Sequence, residues 1–147
     1  MNLFFYVAQK KFWGATEHQF DPKNLDLWLE SPNQLLNSIN SGEWIWVATH
    51  IPNDRYILVS KLCVLTPRDT TTNTYGDYRI TGDPKQTVLY DQHGQPDLQQ
   101  LVGQLRFRLQ STVLFRETFE GLDHLRELTS SDHQLLEQWA QQHLTVI

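Results

Sequence analysis

"SGEWIWVATHIPNDRYILVSKLCVL", residues 41–65, decides the fold. Read as a strand, its first half sends Trp44, Trp46 and Ala48 to one side and Ile45, Val47 and Thr49 to the other. Successive side chains of a strand alternate, so both faces of this one are apolar and both need covering. "IPND" is turn chemistry, and it folds "RYILVSKLCVL" back as an antiparallel partner that is again apolar on both faces.

Moving toward the N-terminus, Asp21-Pro22 and Ser31-Pro32 each place a capping residue before a proline, which predicts short helices over "NLDLWLE" and "NQLLNSIN", with Gly42 ending the second. Before them, "QKKFWGATEHQF" is irregular yet keeps Phe12, Trp13 and Phe20 where a plain linker would be polar. "NLFFYVA" opens the chain as a first strand. Toward the C-terminus, "TPRDTTTNT" is a polar loop, and "YGDYRI" and "TVLYD" are further strands joined through "TGDPKQ". "QHGQP" is a turn and "DLQQLVGQL" has helical spacing. "LRFRLQ" alternates Leu105, Phe107 and Leu109 against Arg106 and Arg108, a pattern that fits a strand or a helix. The clearest helix is "LTSSDHQLLEQWAQQHL": Ser131 and Gln134 form a capping box, and Leu135, Leu136, Trp139, Ala140 and Leu144 share a face.

The 147 residues fit one domain, with a core over about 1–108 and a helical extension over about 109–147. A chain of about 150 residues buries roughly 68–70% of its unfolded surface, so one core suffices without staples. Cys63 is the lone cysteine and sits in an apolar run, which fits a small buried hydrophobe in a reducing, cytoplasmic compartment. The apolar N-terminal run is far shorter than the ~20 residues of a membrane span, and no membrane partner is expected. The expected fold class is α+β: a curved antiparallel sheet or pseudo-barrel packed by its own side chains inside, with flanking short helices and the C-terminal helix roofing the outer face through Trp139.

The order of parts resembles the PUA-like superfamily, and within it the EVE branch. The matching residues are "FFYVA", the Trp13-Gly14 pair, "QLLNSIN", and Gly42-Glu43 before "WIWVATH", followed by "YILVSKLCV"; together they cover roughly residues 1–66. The sequence departs from that pattern in its helical C-terminal third, which has no counterpart, and in "ATEH", which stands where the EVE loop often carries Arg-Asn. The resemblance implies nucleic-acid binding, often by drawing one modified base into an aromatic-lined pocket, here in a defence or modification-sensing setting.

The residues offer a physical case for such a pocket. An extruded base costs a few kcal/mol to unstack, which stacking on aromatic faces offsets. The expected base-binding residues are Trp13, His50, Tyr75 and Tyr78, with Lys10, Lys11, Arg68 and Arg79 on the nucleic-acid backbone. Strand alternation accounts for Trp44 and Trp46 as core. Net charge is −5, but residues 109–147 carry −4 of it, leaving the rest nearly neutral and able to present a basic face. DNA is the expected partner ahead of RNA, with a separately encoded effector as a further one.

Catalysis is not expected. Asp21-Pro22-Lys23 and Asp83-Pro84-Lys85 superficially resemble nuclease motifs, but proline excludes each from a central strand. The six histidines show no metal-ligand spacing, and neither a nucleophile elbow nor a phosphate-cradling glycine loop is present, so no cofactor is expected. The rival reading is a regulatory or protein-interaction subunit that uses the acidic helical C-terminal segment as its contact surface, and a third is a small-molecule-binding barrel.

Overall fold

The structure, a computed structural model, describes residues 1–6, 28–31, 34–51, 54–69, 78–108 and 124–147. In chain order its elements are β1 (Asn2–Tyr6), β2 (Trp28–Ser31), α1 (Leu35–Ser38), β3 (Trp44–His50), β4 (Tyr56–Asp69), β5 (Tyr78–Gly82), β6 (Val88–Leu89), α2 (Gln99–Val102), β7 (His124–Leu128) and α3 (Ser130–His143). The strands form one curled, half-barrel sheet in the order β2-β5-β4-β3-β1-β7, with β6 paired to β4. The architecture is α+β, as expected, with a C-terminal helix on the sheet.

The sheet is mixed rather than antiparallel throughout. β1 runs parallel to β3, with Asn2 opposite Trp44 and Tyr6 opposite Ala48, and every other ladder is antiparallel. Parallel neighbours need a crossover of a dozen or more residues, and residues 7–43 supply it. The β3–β4 hairpin is the pair read from residues 41–65. Trp46 faces Lys61 and His50 faces Tyr56, with one bulge where β4 gains a residue opposite the Val47–Ala48 step.

That bulge keeps both faces apolar on either side of it. Leu58 joins Phe4, Tyr6, Trp46 and Ala48 in a core cluster closed by Leu101, Val102, Leu136 and Trp139 from α2 and α3. Val59 falls on the opposite face, where it joins Leu3, Phe5, Ile45, Val47 and Leu62 in a second cluster with Leu36 of α1 and Ile39. A central strand with an apolar layer on each side explains why the chain places tryptophan on β3: Trp46 is fully buried beneath α3, and Trp44 is half-buried nearer the edge of the layer.

β4 outruns its partner. Its first half pairs with β3, while Val64 to Asp69 pair with β5. β5 and β6 lie end to end along that second edge, separated by the turn at Asp83: the Asp83 amide donates to the Cys63 carbonyl (2.7 Å) and the Cys63 amide to Thr87 Oγ1 (3.0 Å), so the insert satisfies the strand it interrupts. Beyond β6 a side chain takes over. Gln95 donates through Nε2 to the carbonyls of Leu58 (2.8 Å) and Asp91 (2.7 Å) and accepts from the Leu58 amide (3.1 Å), so its amide acts as one more rung of the ladder.

Several local expectations are corrected. Trp28–Glu30, expected at the end of a helix, and Ser31, expected as the next helix cap, instead form strand β2 on β5. The second helix is one turn, ending at Ser38; Gly42 instead turns the chain into β3 with φ +86°, its amide bonded to the Val64 carbonyl at 2.8 Å. The capping box of α3 is Thr129 with Asp132, not Ser131 with Gln134. Residues 105–108 form neither strand nor helix, although Leu105 and Phe107 are buried and Arg106 and Arg108 exposed. Phe107 adopts φ +50° there.

Candidate functional site

Because β1 and β3 are parallel, their carboxyl ends lie together, and the hairpin returns Tyr56 to the same end. Three aromatic side chains therefore meet. The His50 and Tyr56 rings lie 4.5 Å apart between centroids, tilted by 31°, and Tyr56 sits 6.0 Å from Tyr6. Tyr6 is buried and closes the group from below, while His50 and Tyr56 are half-buried. Burial, and secondarily the Tyr56 phenol, pushes the Tyr6 hydroxyl up to about 12, so it stays protonated across the physiological range.

The turn beside this group is held firmly. The Ile51 amide donates to the Arg55 carbonyl (2.9 Å), the Tyr56 amide to Asp97 Oδ1 (3.2 Å), and Arg55 Nε to the Gln95 carbonyl (2.6 Å). Arg55 also pairs with Asp54. These bonds set Tyr56 where His50 can stack on it. A half-buried, pre-positioned pair of rings is what a flat heterocycle needs in order to stack without first ordering its host.

The structure does not bring every expected site residue here. Tyr78 and Arg79 begin β5, where Arg79 stands in register with Glu30 of β2 and Asp69 of β4. They belong to the far end of β4, whose 14 residues correspond to roughly 45 Å of contour at about 3.3 Å per residue. Tyr78 packs against the second core cluster. Arg68 lies on β4 toward the same far end. Trp13, Tyr75, Lys10 and Lys11 lie outside the described residues. Tyr56 is the member that sequence reasoning missed, and its signal was available: it flanks the 51–55 turn opposite His50, so hairpin register alone places the two side by side.

A second concentration of polar chemistry lies between α3 and the sheet. Trp46 Nε1 donates to His133 Nδ1 (3.0 Å), His133 Nε2 meets Glu137 Oε1 at 3.3 Å, and Lys61 pairs with Glu137 while lying over the rings of Trp44 (4.2 Å) and Trp46 (5.3 Å). Burial, reinforced by the Lys61 charge and opposed by Glu137, holds the His133 imidazole below its ordinary value. At the end of the sheet away from His50, an open cleft of about 390 Å³ is lined by Arg108, Glu127, Thr129 and Ser130 among others. Arg108 and Glu127 form a loose ion pair across it (3.5 Å).

Among the described residues, no group of three or more His, Cys, Asp or Glu side chains is placed to hold a metal ion, and no helix is long and apolar enough to cross a membrane. No protein-family model matches the chain, and no curated protein matches its sequence.

Proposed function

We propose that the chain is a non-catalytic nucleic-acid recognition module of PUA-like architecture, which stacks an unpaired or modified base, in DNA ahead of RNA, against His50 and Tyr56. The observation that carries this reading is the His50–Tyr56 ring pair at the joined carboxyl ends of β1 and β3. Tyr78 and Arg79 take a separate role at the far end, on the nucleic-acid backbone at most.

The rival reading, an interaction subunit with an acidic helical face, is weakened by where the acids go. Of the acidic residues of the C-terminal third that the structure describes, Asp132 is fully buried, Glu137 is paired with Lys61, and Glu127 faces Arg108. The described acids of that segment are therefore already engaged within the fold.

Filter binding with modified and unmodified single-stranded and duplex oligonucleotides, over a salt series, tests the proposal. Binding is expected to weaken steeply as salt rises. His50→Ala is expected to weaken it by about 1–3 kcal/mol, the value of one stacking contact, which is roughly 5- to 150-fold. Absence of binding at low salt, or an unchanged affinity for His50→Ala, refutes it.

A further inference from the structure

The polar cluster under α3 supports an inference independent of nucleic-acid binding. An indole N–H can only donate, so its bond to His133 Nδ1 requires that nitrogen to be unprotonated. The neutral ring then carries its proton on Nε2, which faces the Glu137 carboxylate at 3.3 Å. Geometry therefore selects one tautomer and one charge state. We propose that α3 is held to the sheet by a proton-sensitive latch: a proton added at His133 Nδ1 sets two donors against each other, breaks the bond to Trp46 and releases the helix from the core layer beneath it.

The surrounding charges give the latch its direction. From β4, Lys61 faces the same space, its side chain only 13% exposed, and resists a second cation there. From α3 itself, Glu137 faces His133 Nε2, but it is shared with Lys61, so its attraction for an imidazolium is already partly used. From β3, the facing groups are the Trp44 and Trp46 rings. One residue before His133, Asp132 turns its carboxylate away, onto the amides of Arg106, Phe107 and Thr129. The docked helix thus prefers neutral His133, whereas a helix lifted into water returns it to an ordinary imidazole value of about 6.5.

Linkage sets the sign. The docked state binds fewer protons than the open one, so docking is strongest above about pH 6.5 and weakens, by at most about tenfold per pH unit for one linked proton, as pH falls from there through the lowered value of the docked imidazole. Lifting α3 removes Leu136, Trp139 and Ala140 from the layer over Phe4, Trp46 and Leu58. Acidification would expose that layer, and neutralisation would cover it again.

Amide hydrogen exchange over residues 133–143, corrected for intrinsic rates and followed from pH 7.5 to 5, tests the latch. The wild-type opening equilibrium is expected to rise as pH falls below about 6.5, by at most about tenfold per unit, and to level off once the docked imidazole itself protonates. In His133→Asn, whose side-chain carbonyl oxygen stands near the Nδ1 position to accept from the indole but does not titrate, the slope is expected to flatten. His143, whose ring lies 4.5 Å from Trp139 on the last turn, is present in both proteins and cancels in the comparison. Nitrogen-15 NMR of the wild-type imidazole is the second measurement and needs no variant. It is expected to show Nδ1 bare and Nε2 protonated at pH 7. Identical slopes in the two proteins, or a proton on Nδ1 at pH 7, overturn the proposal.

Discussion

Replacing Asp132 with alanine tests a buried carboxylate that gathers hydrogen bonds from two separate segments of the fold. Its side chain is fully buried and accepts from three backbone amides: Arg106 on Oδ1 (2.8 Å), and Phe107 (2.9 Å) and Thr129 (3.0 Å) on Oδ2. Only the Thr129 bond, with its reciprocal from the Asp132 amide to Thr129 Oγ1 (3.1 Å), belongs to the helix cap. The other two hold the 105–108 segment, including Phe107 at φ +50°, so that the Phe107 ring can meet Phe4 edge-on at 6.1 Å. A bond to a charged group contributes about 1.5–3 kcal/mol, and a buried donor left without a partner costs about 1–3 kcal/mol. Three donors fail together, and partial hydration of the vacated site recovers some of the loss, so Asp132→Ala is expected to cost about 3–5 kcal/mol. Asp132→Asn keeps one acceptor oxygen but turns an NH₂ toward an amide, for about 2 kcal/mol, and Thr129→Ala removes only a cap, for about 1 kcal/mol. Urea unfolding at constant m reads the order directly. If Asp132→Ala costs no more than Thr129→Ala, the carboxylate does not hold the 105–108 segment and the reasoning fails.

Three further outcomes are expected. Gly42 (φ +86°) and Gly103 both have open space where a Cβ would sit, so their alanine variants separate backbone strain from crowding: Gly42→Ala is expected to cost about 1 kcal/mol, and Gly103→Ala, at φ −60°, to stabilise by about 0.4–1 kcal/mol in the same denaturation assay. Gln95→Leu keeps the volume but orphans the Leu58 amide and carbonyl, and is expected to lower stability by about 2–4 kcal/mol, measured by the urea midpoint. Burial pushes the hydroxyls of Tyr6 and Tyr90 up to about 12, so phenolate absorbance should show these two tyrosines titrating late. The folded state holds those protons more tightly than the unfolded chain; their contribution to stability is complete below about pH 10 and is lost as pH rises toward 12.

What the sequence made legible was burial, and what it concealed was direction and long-range demand. The double-faced apolar alternation of residues 44–49 placed β3 at the centre of the sheet with a layer on each side, and Trp139 in the roof, because burial acts on each residue separately. Strand direction leaves no such mark: "NLFFY" reads the same whether it runs with β3 or against it, and its parallel pairing follows from the 7–43 crossover. Trp28–Ser31 was misread because two proline caps were weighed locally, while pairing with β5 overrode helix propensity. The cap of α3 is similar. Two Ser/Thr-x-x-polar frames compete, and the frame that wins puts Asp132 where residues 106 and 107 need an acceptor, a demand that comes from 25 and 26 residues away.

The candidate site divides along the same line. His50 was legible as a strand-end aromatic, and Tyr56 follows from the register of the hairpin. The expected site joins His50 to Tyr78 and Arg79, whereas β4 runs 14 residues and carries β5 on the half that β3 does not reach. This separates two roles that a single pocket would merge. If His50 and Tyr56 stack a base while Arg79 meets only phosphate, then His50→Ala should reduce affinity without changing the salt slope, and Arg79→Ala should lower the slope by about one while leaving discrimination between modified and unmodified oligonucleotides intact. Equal loss of discrimination in both variants would mean that the two ends of β4 serve one site, and the division drawn from the sheet would be wrong.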